Sequence, residues 1–174
     1  MNVSSAWVLE TARLRMAPVG YWDLPDLTRL KADPRAYALM LGGVRSPVQV
    51  AEELAQNIRD WGQYGYGMWA VRAKRGEFLG MTALMHRPDG RGVALRFAFY
   101  ADVRGVGLAR EAASAALNYA HDTAGLKRVI AVARESNFAS RQVLNAIGMS
   151  HISEFQRDGN LMFVYQSVKQ GQPE

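Results

Sequence analysis

Arg104-Gly105-Val106-Gly107-Leu108-Ala109 stands between a strand pattern that closes at Tyr100 and a long helical pattern that opens at Gly107. Strand, glycine-bearing turn and helix in that order present a row of backbone N–H groups at the positive end of a helix dipole. That arrangement suits phosphate. Gly105 and Gly107 lack a Cβ, so an anion can come close to the main chain, and Arg104 can add charge at the rim. A glycine pair alone is equally compatible with a plain turn that starts a helix. Two familiar nucleotide folds drop out. No Gly-x-x-x-x-Gly-Lys-Ser/Thr run occurs, and the third glycine of a dinucleotide fingerprint is replaced by Arg110.

Upstream of the turn, three strand patterns run over Met68–Ala73, Phe78–Met85 and Val93–Tyr100, joined by short loops and therefore antiparallel. In the third, Val93, Leu95, Phe97 and Phe99 share one face, and Ala94, Arg96, Ala98 and Tyr100 the other. Before them, Glu10–Ala17 alternates with Leu14 and Met16 on one side, as a half-buried strand does. Asp23–Lys31 is a short amphipathic helix, and Pro34–Leu41 has the pattern of another. Ser46-Pro47-Val48-Gln49 reads as a capping box opening a helix whose apolar stripe is Ala51, Leu54, Ala55, Ile58 and Trp61. Gly62, Gly65 and Gly67 should end it. Downstream, an alanine-rich helix over Gly107–Thr123 has a polar line of Arg110, Ser114, Asn118 and His121, and Gly125 can cap it. A strand over Arg128–Ala133, a helix over Phe138–Ile147 and a hairpin turning at Asp158-Gly159 complete the chain. The expectation is a mixed α/β fold: one domain over residues 1–174, core about 10–168, with helices on both faces of the sheet.

Composition fits an ordinary soluble globular protein of one-domain size, with 174 residues, 49% hydrophobic and 21% charged. The absence of cysteine excludes disulfides, thiolate metal sites and a cysteine nucleophile, and is compatible with a cytoplasmic setting. No apolar run reaches the ~20 residues of a membrane span, and Met1–Glu10 does not read as a secretory signal. The net charge of +5 is spread along the chain. It serves solubility or attracts an anionic ligand; no basic helix or aromatic–basic signature points to nucleic acid.

The turn Arg104–Ala109 resembles the Gln/Arg-x-x-Gly-x-Gly/Ala signature of the GNAT acetyltransferase superfamily. Asn137-Phe138-Ala139-Ser140-Arg141-Gln142-Val143-Leu144, followed by Gly148-Met149, resembles the Asn-x-x-Ser-x-x-x-Leu…Gly-Phe segment of the branch that includes the ribosomal-protein N-terminal acetyltransferases. Thr11–Met16 is similar to that branch's first strand. The resemblance covers about Glu10 to Val168 and implies a mostly antiparallel, twisted sheet that splays open at the cofactor. It implies acetyl-CoA as donor, with its pyrophosphate on the N–H groups of Arg104, Gly105, Val106, Gly107, Leu108 and Ala109. The pantetheine arm would lie along Phe99 and Tyr100 like an added strand. Asn137 and Ser140 would contact the cofactor, although asparagine is also a favoured N-cap and serine can simply stabilise a helix start.

Many GNAT enzymes place a tyrosine acid seven residues after the motif asparagine; here Leu144 stands there, which leaves Ser140 as candidate acid. A backbone N–H near Phe99 or Tyr100 would steady the oxyanion. No general base announces itself. Arg96 serves either a carboxylate-bearing substrate or a salt bridge within the sheet. Trp61, Tyr64, Tyr66 and Trp69 form either core packing or an aromatic wall for the acceptor. His86, His121 and His151 are isolated and read as structural or surface residues, so a catalytic metal has no support. The expected activity is N-acetylation of a protein N-terminus or a small amine, by a monomer or a homodimer with no nucleic-acid or membrane partner. The alternatives are a non-catalytic acyl-CoA-binding module and an unrelated anion-binding domain.

Overall fold

Alternation at the first strand does what its pattern predicts: Leu14 and Met16 are fully buried while Arg13 and Arg15 face solvent. The computed structural model describes residues 4–171. It begins with β1 (Leu9–Glu10) and β2 (Leu14–Pro18), which the sequence runs together as one strand but which Thr11–Arg13 separates. Three helices follow: α1 (Leu24–Ala32), α2 (Pro34–Tyr37) and α3 (Pro47–Tyr64). Then come β3 (Met68–Ala73), β4 (Phe78–His86), β5 (Val93–Phe99), α4 (Leu108–Asp122), β6 (Arg128–Arg134), α5 (Phe138–Ala146), β7 (Ser150–Arg157) and β8 (Asn160–Val168). The eight strands form one open sheet in the order β1-β2-β3-β4-β5-β6-β8-β7. Every pairing is antiparallel except β5 with β6.

The two faces of β5 sort as its alternation requires. Leu95 and Phe99 join the larger core, where Ala112, Ala113, Ala116 and Ala120 let α4 lie close on the sheet. Ala98 joins the smaller core beneath α1 and α3, with Leu27, Leu30, Val50 and Leu54. Lys31 is buried there and donates to Glu53 at 2.7 Å, tying α1 to α3.

The capping box at Ser46 is present, with Gln49 N–H donating to Ser46 Oγ and Ser46 N–H to Gln49 Oε1. The helix it opens continues through Gly62 to Tyr64 and ends at Gly65, which takes the left-handed conformation. One helical glycine costs about 1 kcal/mol, which burial of Trp61, the residue before it, offsets. The Pro34–Leu41 pattern yields a single turn, after which Gly42 and Gly43 reverse the chain at positive φ. Asp158 and Gly159 form the predicted hairpin turn, both at positive φ.

Of the aromatic residues around Gly65 and Gly67, Trp61, Tyr66 and Trp69 are core and Tyr64 is exposed. Trp69 is fully buried, lies edge-on to Trp61 and Tyr119 at 5.0 and 5.3 Å, and donates from Nε1 to Trp7 O at 2.7 Å. Tyr64 stacks on Tyr66, whose hydroxyl is hydrogen-bonded to His86.

Candidate active site

The sheet opens where its one parallel pairing fails. β5 and β6 are in register only at Ala94 opposite Ile130, and they diverge toward Phe99 and Arg134. β5 is meanwhile paired with β4 along its whole length. The Tyr100 N–H donates to Leu79 O on the β4 side. Backbone groups alternate along a strand, so those of Phe97 and Phe99 point toward the gap. The sequence reading assigns an oxyanion donor to Phe99 or Tyr100. The Tyr100 N–H is already engaged, and its ring packs edge-on to Phe78 on the α1 side. Of the two, Phe99 has its N–H on the gap side, and Phe97 shares that parity.

At the mouth of the gap lies the turn. Gly105 and Gly107 have φ +87° and +82°, a region that side-chain-bearing residues rarely adopt. It is this conformation, more than crowding, that calls for glycine: a Cβ on Gly105 would meet nothing within 4 Å. Among the described residues none of the six N–H groups from Gly105 to Arg110 donates to another group of the chain; the first bond of α4 runs from Glu111 N–H to Gly107 O. A helix start with this many free donors is equipped for an anion. The Arg104 guanidinium does not join it. It donates to Arg35 O at 2.6 Å and Phe99 O at 3.1 Å, tying the turn to α2 and to the end of β5.

The back of the turn is clamped to the first strand. Glu111 accepts from Thr11 Oγ1 at 2.6 Å, from the Arg13 N–H at 3.0 Å and from Arg13 Nε at 2.9 Å, while Arg13 Nη1 donates to Val106 O at 2.8 Å. Burial pushes the Glu111 carboxyl up, but these hydrogen bonds outweigh it and hold the group below its ordinary value. A carboxyl lowered on folding stabilises above its unfolded pKa, and that contribution is lost as pH falls through the folded value. Glu111→Gln is therefore expected to cost about 1 kcal/mol at pH 7. The difference should shrink below pH ~4. Urea melts at pH 7 and pH 3.5 measure both, and a gap that stays constant would refute the linkage.

Two cavities share the gap. One, of about 500 Å³, runs from the turn past Phe97, Phe99, Leu108 and Ala109 to Asn137, Ser140 and Val143 on α5. The other, of about 400 Å³, lies between β5 and β6 on the far side, under the loop after α2 and beside the β7–β8 turn. They meet at Leu39, Met40, Phe97, Asn137 and Ser140. Asn137 caps α5, its Oδ1 accepting from the Ser140 N–H at 3.2 Å. The Ser140 hydroxyl makes no hydrogen bond among the described residues and stands where the cavities join. Leu144 is buried below it. Tyr100 and the exposed side chain of Val106 line neither cavity, and neither do Trp61, Tyr64, Tyr66 or Trp69.

The family model described as the acetyltransferase (GNAT) domain matches residues 13–150. The chain belongs to the GNAT acetyltransferase family. FsC-acetyl coenzyme A-N(2)-transacetylase of Aspergillus fumigatus is 27% identical over 169 residues, which cover 89% of this chain and 70% of that protein. An acetyltransferase from Agrobacterium tumefaciens superposes with a TM-score of 0.80 at 25% identity, covering 93% of this chain and 94% of its own. The ribosomal-protein-S5-alanine acetyltransferase of Vibrio fischeri shares the fold with a TM-score of 0.78 at 14% identity, over 92% and 96% of the two chains. The GNAT domain thus accounts for the β5–turn–α4 unit and for the α5 segment, both inside the matched residues.

The histidines of this GNAT chain are engaged in structure. His121 is hydrogen-bonded to Leu126 O and Ser167 Oγ, pinning the end of α4 to the sheet, and His151 stacks on Phe163. Among the described residues no cluster of three or more His, Asp or Glu side chains can hold a metal ion. No helix there is long and apolar enough to cross a membrane.

Proposed function

We propose that this GNAT acetyltransferase is an N-acetyltransferase that moves the acetyl group of acetyl-CoA to a primary amine by direct attack. The observation that carries this reading is the pair of cavities meeting at Phe97, Asn137 and Ser140 inside the β5–β6 gap. Two substrates entering from opposite sides would have their reacting atoms brought together there, which is the geometry direct transfer needs.

The larger cavity suits the cofactor. The free N–H groups from Gly105 to Arg110 would hold its pyrophosphate, with the α4 dipole behind them. The open edge of β5, at Phe97 and the Phe99 N–H, would bond the pantetheine amides as a neighbouring strand would. Bound there, acetyl-CoA supplies an activated thioester. A gap-facing N–H of β5, at Phe97 or Phe99, would steady the oxygen that becomes negative. The amine forms the new N–C bond as the C–S bond breaks, and the amine's proton leaves to solvent while the sulfur takes one. Ser140, the hydroxyl without a partner at the junction, is the candidate donor of that proton and regains its own from the solvent that takes up the amine's proton.

Ser140→Ala is expected to lower kcat about 100-fold or more while KM for acetyl-CoA changes less than about threefold, 100-fold being the lower edge of what a positioned acid contributes. Steady-state kinetics with thiol detection decide it; an unchanged kcat would remove Ser140 from the chemistry. One observation favours a second reading, that of an acyl-CoA-binding module without turnover. Leu144, buried in the core, occupies the position of the usual tyrosine acid. A screen of N-terminal peptides and small amines separates the two. Acetyl-CoA binding with no thiol release from any amine would leave only the second.

A further inference from the structure

The smaller cavity is distinguished by its charge. Arg87, Arg96, Arg134 and Arg157 line it, against a single acid, Asp158. Most nearby counter-charge is already committed. Asp89 accepts from Arg87 Nε and Nη2 at 3.0 and 2.8 Å, and that pairing holds its carboxyl down at about 2. Glu53 accepts from Lys31 at 2.7 Å and from Arg45. Asp158 lies 3.8 Å from Arg157 and is almost wholly in solvent. Among the described residues the side chains of Arg96 and Arg134 make neither an ion pair nor a hydrogen bond. The salt bridge within the sheet that the sequence allowed for Arg96 does not form.

Arg96 is the more constrained of the two. It rises from the middle of β5, opposite Ala83, and is flanked on its own face by Ala94 and Ala98, all three buried. Small neighbours leave room above the guanidinium. Burial disfavours its charged form, and Arg87 and Arg45 add repulsion, with Tyr37 and Glu53 acting in the opposite sense. A guanidinium nevertheless stays protonated in a protein, so this one requires an anion. An unpaired half-buried charge destabilises a fold, and the cavity it lines faces the junction at Phe97 and Ser140.

We propose that the acceptor is an amine that also carries an acid group, and that Arg96 is the counter-ion that binds this group and selects the substrate. The inference rests on the acetyltransferase reading above and names its acceptor class. A carboxylate is the favoured group, because a planar guanidinium fork matches it in bidentate fashion; a phosphate offers the same oxyanion chemistry. Arg134, on β6 across the cavity, adds to the attraction. Polyamines enter against the same field and are poor acceptors.

The test uses the full chain and matched amines that differ only as carboxylate or carboxamide, such as glutamate with glutamine and amino acids with their amides. Phosphoethanolamine with ethanolamine forms the phosphate arm. Each is titrated calorimetrically into protein saturated with coenzyme A, and each is assayed for thiol release with acetyl-CoA. Acid members should bind and react at least tenfold better than neutral ones. Arg96→Gln should erase that difference through a raised KM for the acid members, with thermal stability unchanged or raised. The arm with the larger preference identifies the acid group. Equal binding of acid and neutral members, or a preference that survives in Arg96→Gln, overturns the inference while leaving acetyl transfer standing. If coenzyme A itself gives no heat, the acetyltransferase site falls first, and that result is read independently of the acceptor pairs.

Discussion

Gly107→Val is expected to weaken acetyl-CoA binding at least 100-fold. Gly107 holds the N-cap of α4 at φ +82°, where a β-branched residue is strained by about 1–3 kcal/mol. The chain can relieve that strain only by rotating the turn, which takes the N–H groups of residues 105–110 out of convergence. Losing two charge-assisted hydrogen bonds costs about 3–6 kcal/mol, so 100-fold is the lower end of the expected range. A Cβ there would also stand 3.4 Å from Arg13 Nη2, against the clamp that fixes the turn to Glu111. The fold should survive, since strain of this size is a fraction of ordinary stability. Calorimetric titration of acetyl-CoA, with circular dichroism as the control for folding, makes the measurement. Undiminished binding by a folded variant would displace the pyrophosphate from this turn.

Trp69→Ala should have the largest effect on stability. Removing a fully buried tryptophan costs about 3–5 kcal/mol, and here it also leaves Trp7 O without its donor and withdraws an edge-on partner from Trp61 and Tyr119. For a chain of this length the loss corresponds to a Tm about 10 °C lower. Differential scanning calorimetry reads it directly. Because Trp69 lines neither cavity, the acceptor KM of the molecules that remain folded should not change. A raised KM with an unchanged Tm would reinstate the aromatic residues as an acceptor wall.

Local rules carried most of the architecture. Period-two alternation located Leu14, Met16 and the two faces of β5 before any contact was known, because a strand's side chains must point to opposite sides of its sheet. The capping box at Ser46, the hairpin at Asp158-Gly159 and the left-handed glycines of the turn are set by bonds and torsions spanning a few residues. Where the reading missed, packing over longer distances had decided. Gly62 did not stop α3 because Trp61 is buried. Arg104 turned back to Arg35 O, a residue 69 positions away that the turn's own sequence could not announce. That Phe97 and Phe99 face the gap follows from parity alone, once β4 is known to use the N–H of Tyr100.

By itself, then, the sequence determined the order of elements, the glycine turn at 104–109 and the capped helix at Asn137, since each depends on neighbours in the chain. Only the tertiary structure decided what lies across the β5–β6 gap. There Ser140 stands at the meeting of two cavities, and Arg96 is left without a partner because Asp89 serves Arg87 and Glu53 serves Lys31 and Arg45. Whether a charge is neutralised depends on residues brought together from distant parts of the chain, and no local pattern encodes that.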